Sequence, residues 1–156
     1  MKNQLFPFLI LLFLSSCGYE ALYSKKNRIN YDFSISEINF DGDKLINLRI
    51  EDRLNNYTLG QKNNNFRLDI LSTSKKSTIA KNRAGDATDF KLEIVVEIDL
   101  LKNNILKDNF VIIESFDYKN DSDEFELKNY EKRVKNNLSD TVTNELIFKL
   151  SNIKWS

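Results

Sequence analysis

Residues 90–100 have the sequence FKLEIVVEIDL, which is the most regular alternation of apolar and polar side chains in the chain. Every second position from Phe90 to Leu100 is apolar, and charged residues occupy most of the positions between. Successive side chains of a strand point to opposite faces, so the stretch predicts a strand with one buried face and one solvent-exposed face. Such a strand is typical of an antiparallel sheet that is covered on one side.

The sequence on either side of this strand predicts its two neighbours. Asn103-Asn104 fits a tight hairpin because asparagine tolerates positive φ. The partner strand then runs from about Ile105 to Tyr118, and one of its faces carries Phe110, Ile112, Phe116 and Tyr118. Upstream, another strand starts near Asn65 and extends to about Ser74. The polar residues Ser74-Lys75-Lys76-Ser77 are predicted to form the tip of a loop.

A first strand and a first helix precede these three strands. Apolar and polar residues alternate from Tyr31 to Phe40, with a one-residue change of phase that indicates a β-bulge in a strand. After the turn Asp41-Gly42-Asp43, Asp43 is suited to cap a helix from Lys44 to Leu59, with Gly60 as its left-handed stop.

Apolar residues lie on two sides of this first helix. One stripe consists of Ile46, Ile50, Leu54 and Tyr57, and the opposite side carries Leu45, Leu48 and Leu59. The second group either widens the core stripe or contacts another helix or a partner.

The last predicted element is a long helix from about Phe125 to Ile153. Asp121 and Glu124 match a capping box ahead of it. The large aliphatic residues of the helix lie on one broad side, except for Ile147, which lies outside it. The element order β-α-β-β-β-α predicts an α+β fold. Two helices would pack on one face of a single four-stranded, largely antiparallel sheet, and this single domain would span residues 31–156.

The N-terminus has the pattern of an export signal. Lys2 precedes an apolar run from Leu5 to Leu14, which is too short to cross a membrane. The following Leu14-Ser15-Ser16-Cys17 resembles the lipobox of bacterial lipoproteins, in which the cysteine is diacylated and the peptide is cut before it. Residues 1–16 are therefore predicted as a signal peptide, and Cys17 as the site of lipid attachment. The alternative is an ordinary buried thiol at Cys17.

Residues 17–30 are predicted to be a tether between the lipid and the domain. Lys25, Lys26 and Arg28 cluster in it without apolar periodicity. These charges either contact anionic lipid head groups or are simply solvated.

The composition argues against several classes of function. Loss of Lys2 with the signal leaves 22 basic and 23 acidic residues, a balance unlike the basic surfaces that bind nucleic acid. The chain has no histidine and a single cysteine, so most zinc sites and histidine-based catalysis are excluded. A metal site formed by carboxylates around Asp121 and Glu124 is conceivable but not favoured. We expect no enzymatic activity and no cofactor beyond the acyl chains on Cys17.

The segment Cys17-Gly18-Tyr19-Glu20-Ala21-Leu22-Tyr23 resembles the start of the mature LPS-assembly lipoproteins, the LptE family. That family also has two helices on a four-stranded sheet, so the resemblance extends to the predicted element order. It implies a non-enzymatic lipoprotein that assembles with, helps to fold and plugs an LptD-like outer-membrane β-barrel, and that assists lipopolysaccharide transport. Gly18 is not the aspartate that retains lipoproteins at the inner membrane, which implies the periplasmic side of the outer membrane.

Contact with lipopolysaccharide phosphates would require exposed cations. The candidates flank the turn between the second and third strands, where solvated loop charges are the alternative: Lys75, Lys76, Lys81 and Arg83. Two other functions stay open, namely a periplasm-facing lipoprotein that binds lipid and a scaffold for a different outer-membrane assembly.

Overall fold

The alternating stretch at residues 90–100 lies in the third of four strands that form one sheet. A computed structural model describes residues 33–58, 60, 62 and 64–153. The predicted signal peptide, Cys17 and the tether lie outside these residues. In chain order the elements are β1 (Phe33–Gly42), α1 (Lys44–Leu54), a 3₁₀ turn (Asn55–Tyr57), β2 (Asn64–Lys81), β3 (Ala87–Lys102), β4 (Ile105–Lys119) and α2 (Glu124–Asn152).

The strands lie side by side in the order of the sequence, β1-β2-β3-β4. β1 and β2 are parallel because α1 connects them as a crossover, whereas β2, β3 and β4 pair antiparallel. Both helices pack on the same face of this mixed sheet. The predicted α+β fold and its element order are therefore confirmed.

Apolar side chains fill the space between the helices and the sheet. On β3, Ile94, Val96, Ile98 and Leu100 have no exposed surface, as their alternation predicts. Burying one such side chain contributes about 1.5–3 kcal/mol. Phe90, at the start of the alternation, is only half-buried. The sheet is thus covered most completely where β3 approaches its C-terminal end.

Two predicted irregularities of the backbone are confirmed. Between Ile35 and Glu37 the register of β1 shifts by one residue, so the predicted bulge lies at Ser36, whose hydroxyl donates to the carbonyl of Phe66 at 3.0 Å. Asn103 and Asn104 have φ of 54° and 60°, which are the left-handed values that a two-residue hairpin requires.

Gly42 is required by close contact at the end of β1. Its φ is +91°, and a Cβ built on it would lie 1.9 Å from the carbonyl oxygen of Ser72. Because that oxygen belongs to the backbone of β2, it cannot move aside easily. The turn predicted at residues 41–43 therefore depends on glycine at its centre.

The loop predicted at Ser74-Lys75-Lys76-Ser77 is wrong. β2 continues to Lys81 and pairs with β3 as far as Ala87, with register shifts near Ala80. The prediction failed because this part of β2 lacks inward apolar residues. Backbone pairing with β3 extends the strand beyond the core, where polar side chains are tolerated on both faces.

The first helix is shorter than predicted. α1 ends at Leu54, and the chain continues as a 3₁₀ turn in which the Thr58 hydroxyl donates to the carbonyl of Asn55 at 2.9 Å. Asparagine competes locally for backbone hydrogen bonds, so Asn55-Asn56 is a weak continuation of a helix. Gly60 does have a positive φ of 91°, but the helix has already ended there.

The predicted capping box of the second helix is also wrong. Asp123 caps α2, with its carboxylate accepting from the N–H groups of Phe125 and Glu126 at 2.9 and 3.1 Å. Asp121 instead accepts from the N–H of Asp123 at 3.0 Å and so shapes the turn ahead of the helix. Both aspartates suit a cap chemically, and the sequence pattern favoured the earlier one. Ile147, predicted to fall off the apolar side, packs against the core.

Candidate functional site

The four cations predicted to contact phosphates do not form one patch. Lys75 pairs in register with Glu93 and Lys76 with Leu92, so the two lysines lie on opposite faces of the sheet. Lys75 projects from the face of the sheet that the helices do not cover, here called the open face. Lys76 faces the side that carries the helices. Because Lys75 and Lys76 are consecutive residues of one strand, their charges lie on opposite faces of the sheet.

Lys76 is held in contacts with the helix side of the sheet. Its ammonium pairs with the carboxylate of Glu131 on α2 and lies 3.8 Å from the centroid of the Phe90 ring. The same carboxylate accepts a hydrogen bond from the Tyr118 hydroxyl at 2.8 Å. Burial, together with the neighbouring Glu131 charge, raises the pKa of Tyr118. These contacts give Lys76 a structural role in fixing α2.

Lys81 and Arg83 lie together at the turn between β2 and β3. The side chain of Asn82 organises this turn, because its oxygen accepts from the N–H groups of Ala84 and Asp86, both at 2.9 Å. Lys81 and Arg83 are exposed, and within the described part of the chain neither makes a side-chain hydrogen bond or salt bridge. This turn is the described site that best fits an external anion.

A groove lies at the other end of the sheet, between the β3–β4 hairpin and the C-terminal end of α2. It has a volume of about 820 Å³ and combines lysines with apolar side chains. Ile105 and Phe148 are 61% and 69% exposed there. The Lys149 ammonium lies 6.0 Å from the centroid of the Phe110 ring and 3.4 Å from the Glu145 carboxylate. This amphipathic end was not recognised in the sequence, although Ile105-Leu106 directly after the hairpin asparagines was a signal for it.

A polar cluster at the start of α1 connects both helices to β2. The Asp43 carboxylate caps α1 through the N–H groups of Leu45 and Ile46 and lies 2.7 Å from both the Lys135 ammonium and the Ser74 hydroxyl. Burial acts to raise the pKa of Asp43, but these donors outweigh it and the pKa is lowered. Asp43 was predicted as a cap, whereas its contacts with Ser74 on β2 and Lys135 on α2 could not be inferred from the spacing of residues in the sequence.

A second ion pair joins the two helices farther along α1. Arg49 donates to both carboxylate oxygens of Asp140 at 2.7 and 2.8 Å, and Arg53 lies 3.3 Å from one of them. The hydrogen bond from Arg49 lowers the pKa of Asp140, even though burial opposes this change. The bidentate geometry adds a directional contact between α1 and α2.

The second apolar side of α1 is not part of the core. Leu45 and Leu48 are 43% and 50% exposed, so the interpretation as a wide core stripe is wrong for these two residues. Leu59 lies outside the described residues. Contact with a partner stays the remaining prediction for Leu45 and Leu48.

No helix among the described residues has the length and apolar character needed to cross a membrane. In the same residues, no group of three or more acidic or cysteine side chains is placed to hold a metal ion. Cys17 lies outside them, so its role stays a prediction.

Comparison with known proteins finds the fold but no close relative. No family profile and no curated protein sequence matches the chain. A minor lipoprotein from Acinetobacter baumannii has a similar structure, with a TM-score of 0.60 and 12% identity over 78% of this chain and 91% of that one. Rare lipoprotein B from Shewanella oneidensis gives a TM-score of 0.53 and 19% identity over 74% and 97% of the two chains.

Lipoprotein B from Nitrosomonas europaea is similar in the same way. Its TM-score is 0.54, with 13% identity over 81% of this chain and 89% of that one. At such low identity these similarities establish the fold alone. Because rare lipoprotein B is an LptE-family structure, the resemblance stated from the N-terminal segment is confirmed at the level of the fold. The chain therefore has the LptE-like lipoprotein fold.

Proposed function

We propose that this chain is an outer-membrane lipoprotein on the periplasmic side that assembles with and plugs an LptD-like β-barrel. In that position it assists the insertion of lipopolysaccharide into the outer leaflet and performs no catalysis. The observation that carries the proposal is the LptE-like fold, shared with rare lipoprotein B over 97% of the length of that chain. The lipobox ending in Cys17 supports the membrane location.

The open face of the sheet has the mixed character that contact with a polar barrel lumen requires. Two pairs of charged groups lie on it, Arg67 with Asp69 at 3.2 Å and Lys91 with Asp117 at 3.9 Å. Between these pairs lie the exposed apolar residues Leu71, Val111 and Ile113. Paired charges around apolar side chains are typical of a protein contact surface.

Affinity purification of the tagged protein from solubilised outer membranes tests the proposal. We expect a large β-barrel to co-purify with the wild type. If the open face is the main contact with the barrel, Ile113→Lys will reduce recovery of the barrel more than Leu48→Lys on the exposed side of α1. The opposite pattern would assign the contact to α1. Recovery of no barrel with the wild type would refute the proposal.

Contact with lipopolysaccharide phosphates is proposed for the turn between β2 and β3. Exposed Lys81 and Arg83, with Lys75 on the adjoining strand, supply cations without competing partners among the described residues. We expect Lys81→Glu with Arg83→Glu to weaken retention of lipopolysaccharide by the purified protein. Lys128→Glu with Lys132→Glu makes the same charge change on exposed positions of α2 and serves as the control. Equal effects of the two pairs would refute the assignment.

The alternative of a lipid-carrying lipoprotein requires an apolar cavity between the helices and the sheet. Where the structure describes it, that interface is packed with apolar side chains such as Ile46, Val142 and Leu146, each 0% exposed. The packing favours a scaffold or plug. A scaffold for a different assembly is distinguished by the identity of the co-purified partner.

A further inference from the structure

Exposed apolar side chains and lysines coincide at one end of the domain. Ile105 and Leu106 begin β4 with 61% and 55% of their surface exposed, and Phe148 on α2 is 69% exposed. Ile105 and Phe148 line a groove together with Lys102, Lys107 and Lys149, whereas Leu106 lies next to it at the start of β4. Asp108 and Glu145 are the neighbouring acidic residues. Large apolar groups beside cations are the composition that binds an anionic lipid interface.

Strand register places the start of the domain at this same end. Phe33 at the beginning of β1 pairs with Asn64, and Arg67 three residues later in β2 pairs with Leu101 just before the hairpin. Arg67 also donates to the side chain of Asn104 at 3.2 Å. Phe33, the first described residue, therefore lies at the same end of the sheet as Ile105 and Leu106, with β2 and β3 between them.

We propose that this end docks on the surface of an anionic phospholipid bilayer. Ile105, Leu106 and Phe148 enter the interface, and Lys107 and Lys149 contact the head groups. The proposal rests on the lipid anchor at Cys17, which brings the domain to the membrane. Fifteen residues lie between Cys17 and Phe33, and the sixteen steps would span at most about 55 Å when fully extended, so the anchor by itself does not orient the domain. The amphipathic end supplies the orientation.

The opposite end of α2 offers a matched control. Phe125 is 70% exposed, almost the same as Phe148, and lies about 35 Å away along the helix axis. β4 similarly has exposed lysines at both ends, Lys107 and Lys119, about 40 Å apart. The residue type is the same within each pair, and both members are exposed. The two members of a pair differ in which end of the domain they occupy.

Site-specific fluorescence of the full lipoprotein tests the proposal. The chain has one cysteine, and acylation at Cys17 would consume its thiol, so Phe148→Cys or Phe125→Cys introduces a single labelling site. Each variant carries an environment-sensitive thiol label and is reconstituted into vesicles of phosphatidylethanolamine and phosphatidylglycerol with a nitroxide-bearing lipid. We expect the label at position 148 to lose most of its emission and to shift to the blue. The label at position 125 should keep the emission that it shows in water.

The lysines are tested in the same vesicles. Lys107→Glu with Lys149→Glu should reduce quenching at position 148, whereas Lys119→Glu with Lys132→Glu, which lie outside the proposed surface, should not. Replacing phosphatidylglycerol with phosphatidylcholine should reduce quenching in the same way. Equal quenching in both kinds of vesicle would overturn the role of the lysines.

The remaining outcomes separate this proposal from the proposed function. Protein that floats with the vesicles but shows no quenching at position 148, or equal quenching at 148 and 125, overturns the docking and leaves the anchor intact. Wild-type protein that takes up the thiol label and does not float overturns both. A label at position 148 that is shielded only in the co-purified barrel complex would assign this surface to the barrel and overturn docking on lipid.

Discussion

Replacement of Asp43 by alanine should destabilise the domain more than removal of an ordinary helix cap. The carboxylate accepts two N–H bonds of α1 and one hydroxyl bond from Ser74, and it pairs with Lys135 at 2.7 Å. Both side chains of the ion pair are only 19% exposed. A cap is worth about 1 kcal/mol. Leaving the Lys135 ammonium unpaired in this half-buried position adds about 1–2 kcal/mol, which is less than for a fully buried pair.

Asp123 provides the matched control because it caps α2 through the same two kinds of N–H bond. It is exposed, and the bonds to its carboxylate measure 2.9 and 3.1 Å. We expect Asp123→Ala to lower the free energy of unfolding by about 1 kcal/mol and Asp43→Ala by about 2–3 kcal/mol. Urea denaturation of the purified lipoprotein in nonionic detergent, followed by far-ultraviolet circular dichroism, measures both.

A double-mutant cycle with Lys135→Met isolates the ion pair. If the reasoning is correct, Asp43→Ala will cost less free energy in the Lys135→Met background, because no ammonium is then left without its partner. Equal costs for Asp43→Ala and Asp123→Ala in the wild-type background would refute the reasoning. Asp43 would then act as a cap alone.

Three further predictions concern pH, the core and the anchor. Folding lowers the pKa values of Asp43 and Asp140. Their contribution to stability is therefore complete above the ordinary aspartate pKa and is lost as the pH falls through the lowered values. The urea midpoint should drop from about pH 5 to about pH 2, the range expected for such carboxylates. Leu146→Ala should cost about 2–5 kcal/mol of unfolding free energy because Leu146 is 0% exposed, whereas Leu48→Ala at 50% exposure should stay within about 0.5 kcal/mol. Cys17→Ser should leave an unlipidated, uncut precursor, and metabolic palmitate labelling that is undiminished in the mutant would contradict this.

Local patterns predicted the sheet well because each strand carries its own signal. The alternation at residues 90–100, the phase change near Ser36 and the hairpin at Asn103-Asn104 depend on neighbours within a few residues. The predictions failed where pairing between residues far apart in the sequence determines the length of a strand. β2 extends to Lys81 because it pairs with β3, and the composition of Ser74-Lys75-Lys76-Ser77 does not predict that pairing.

The same limit applies to the candidate site. Charge type identified Lys75, Lys76, Lys81 and Arg83, but only register shows that Lys76 faces α2 and pairs with Glu131. The amphipathic end was missed because its members come from a hairpin and a helix that are about forty residues apart in the sequence. Such a surface exists only after the strands are aligned.

The two proposed surfaces lie at opposite ends of β2, and this separation constrains the mechanism. From Arg67, near the amphipathic end, to Lys81 the strand covers about 45 Å at the usual rise per residue. Screening limits the attraction of exposed charges to about 8–10 Å at moderate salt. If the amphipathic end rests on a bilayer, Lys81 and Arg83 cannot reach the head groups of that same surface. Any phosphate that they bind must therefore be held away from that bilayer, as for a lipopolysaccharide molecule enclosed within a partner protein.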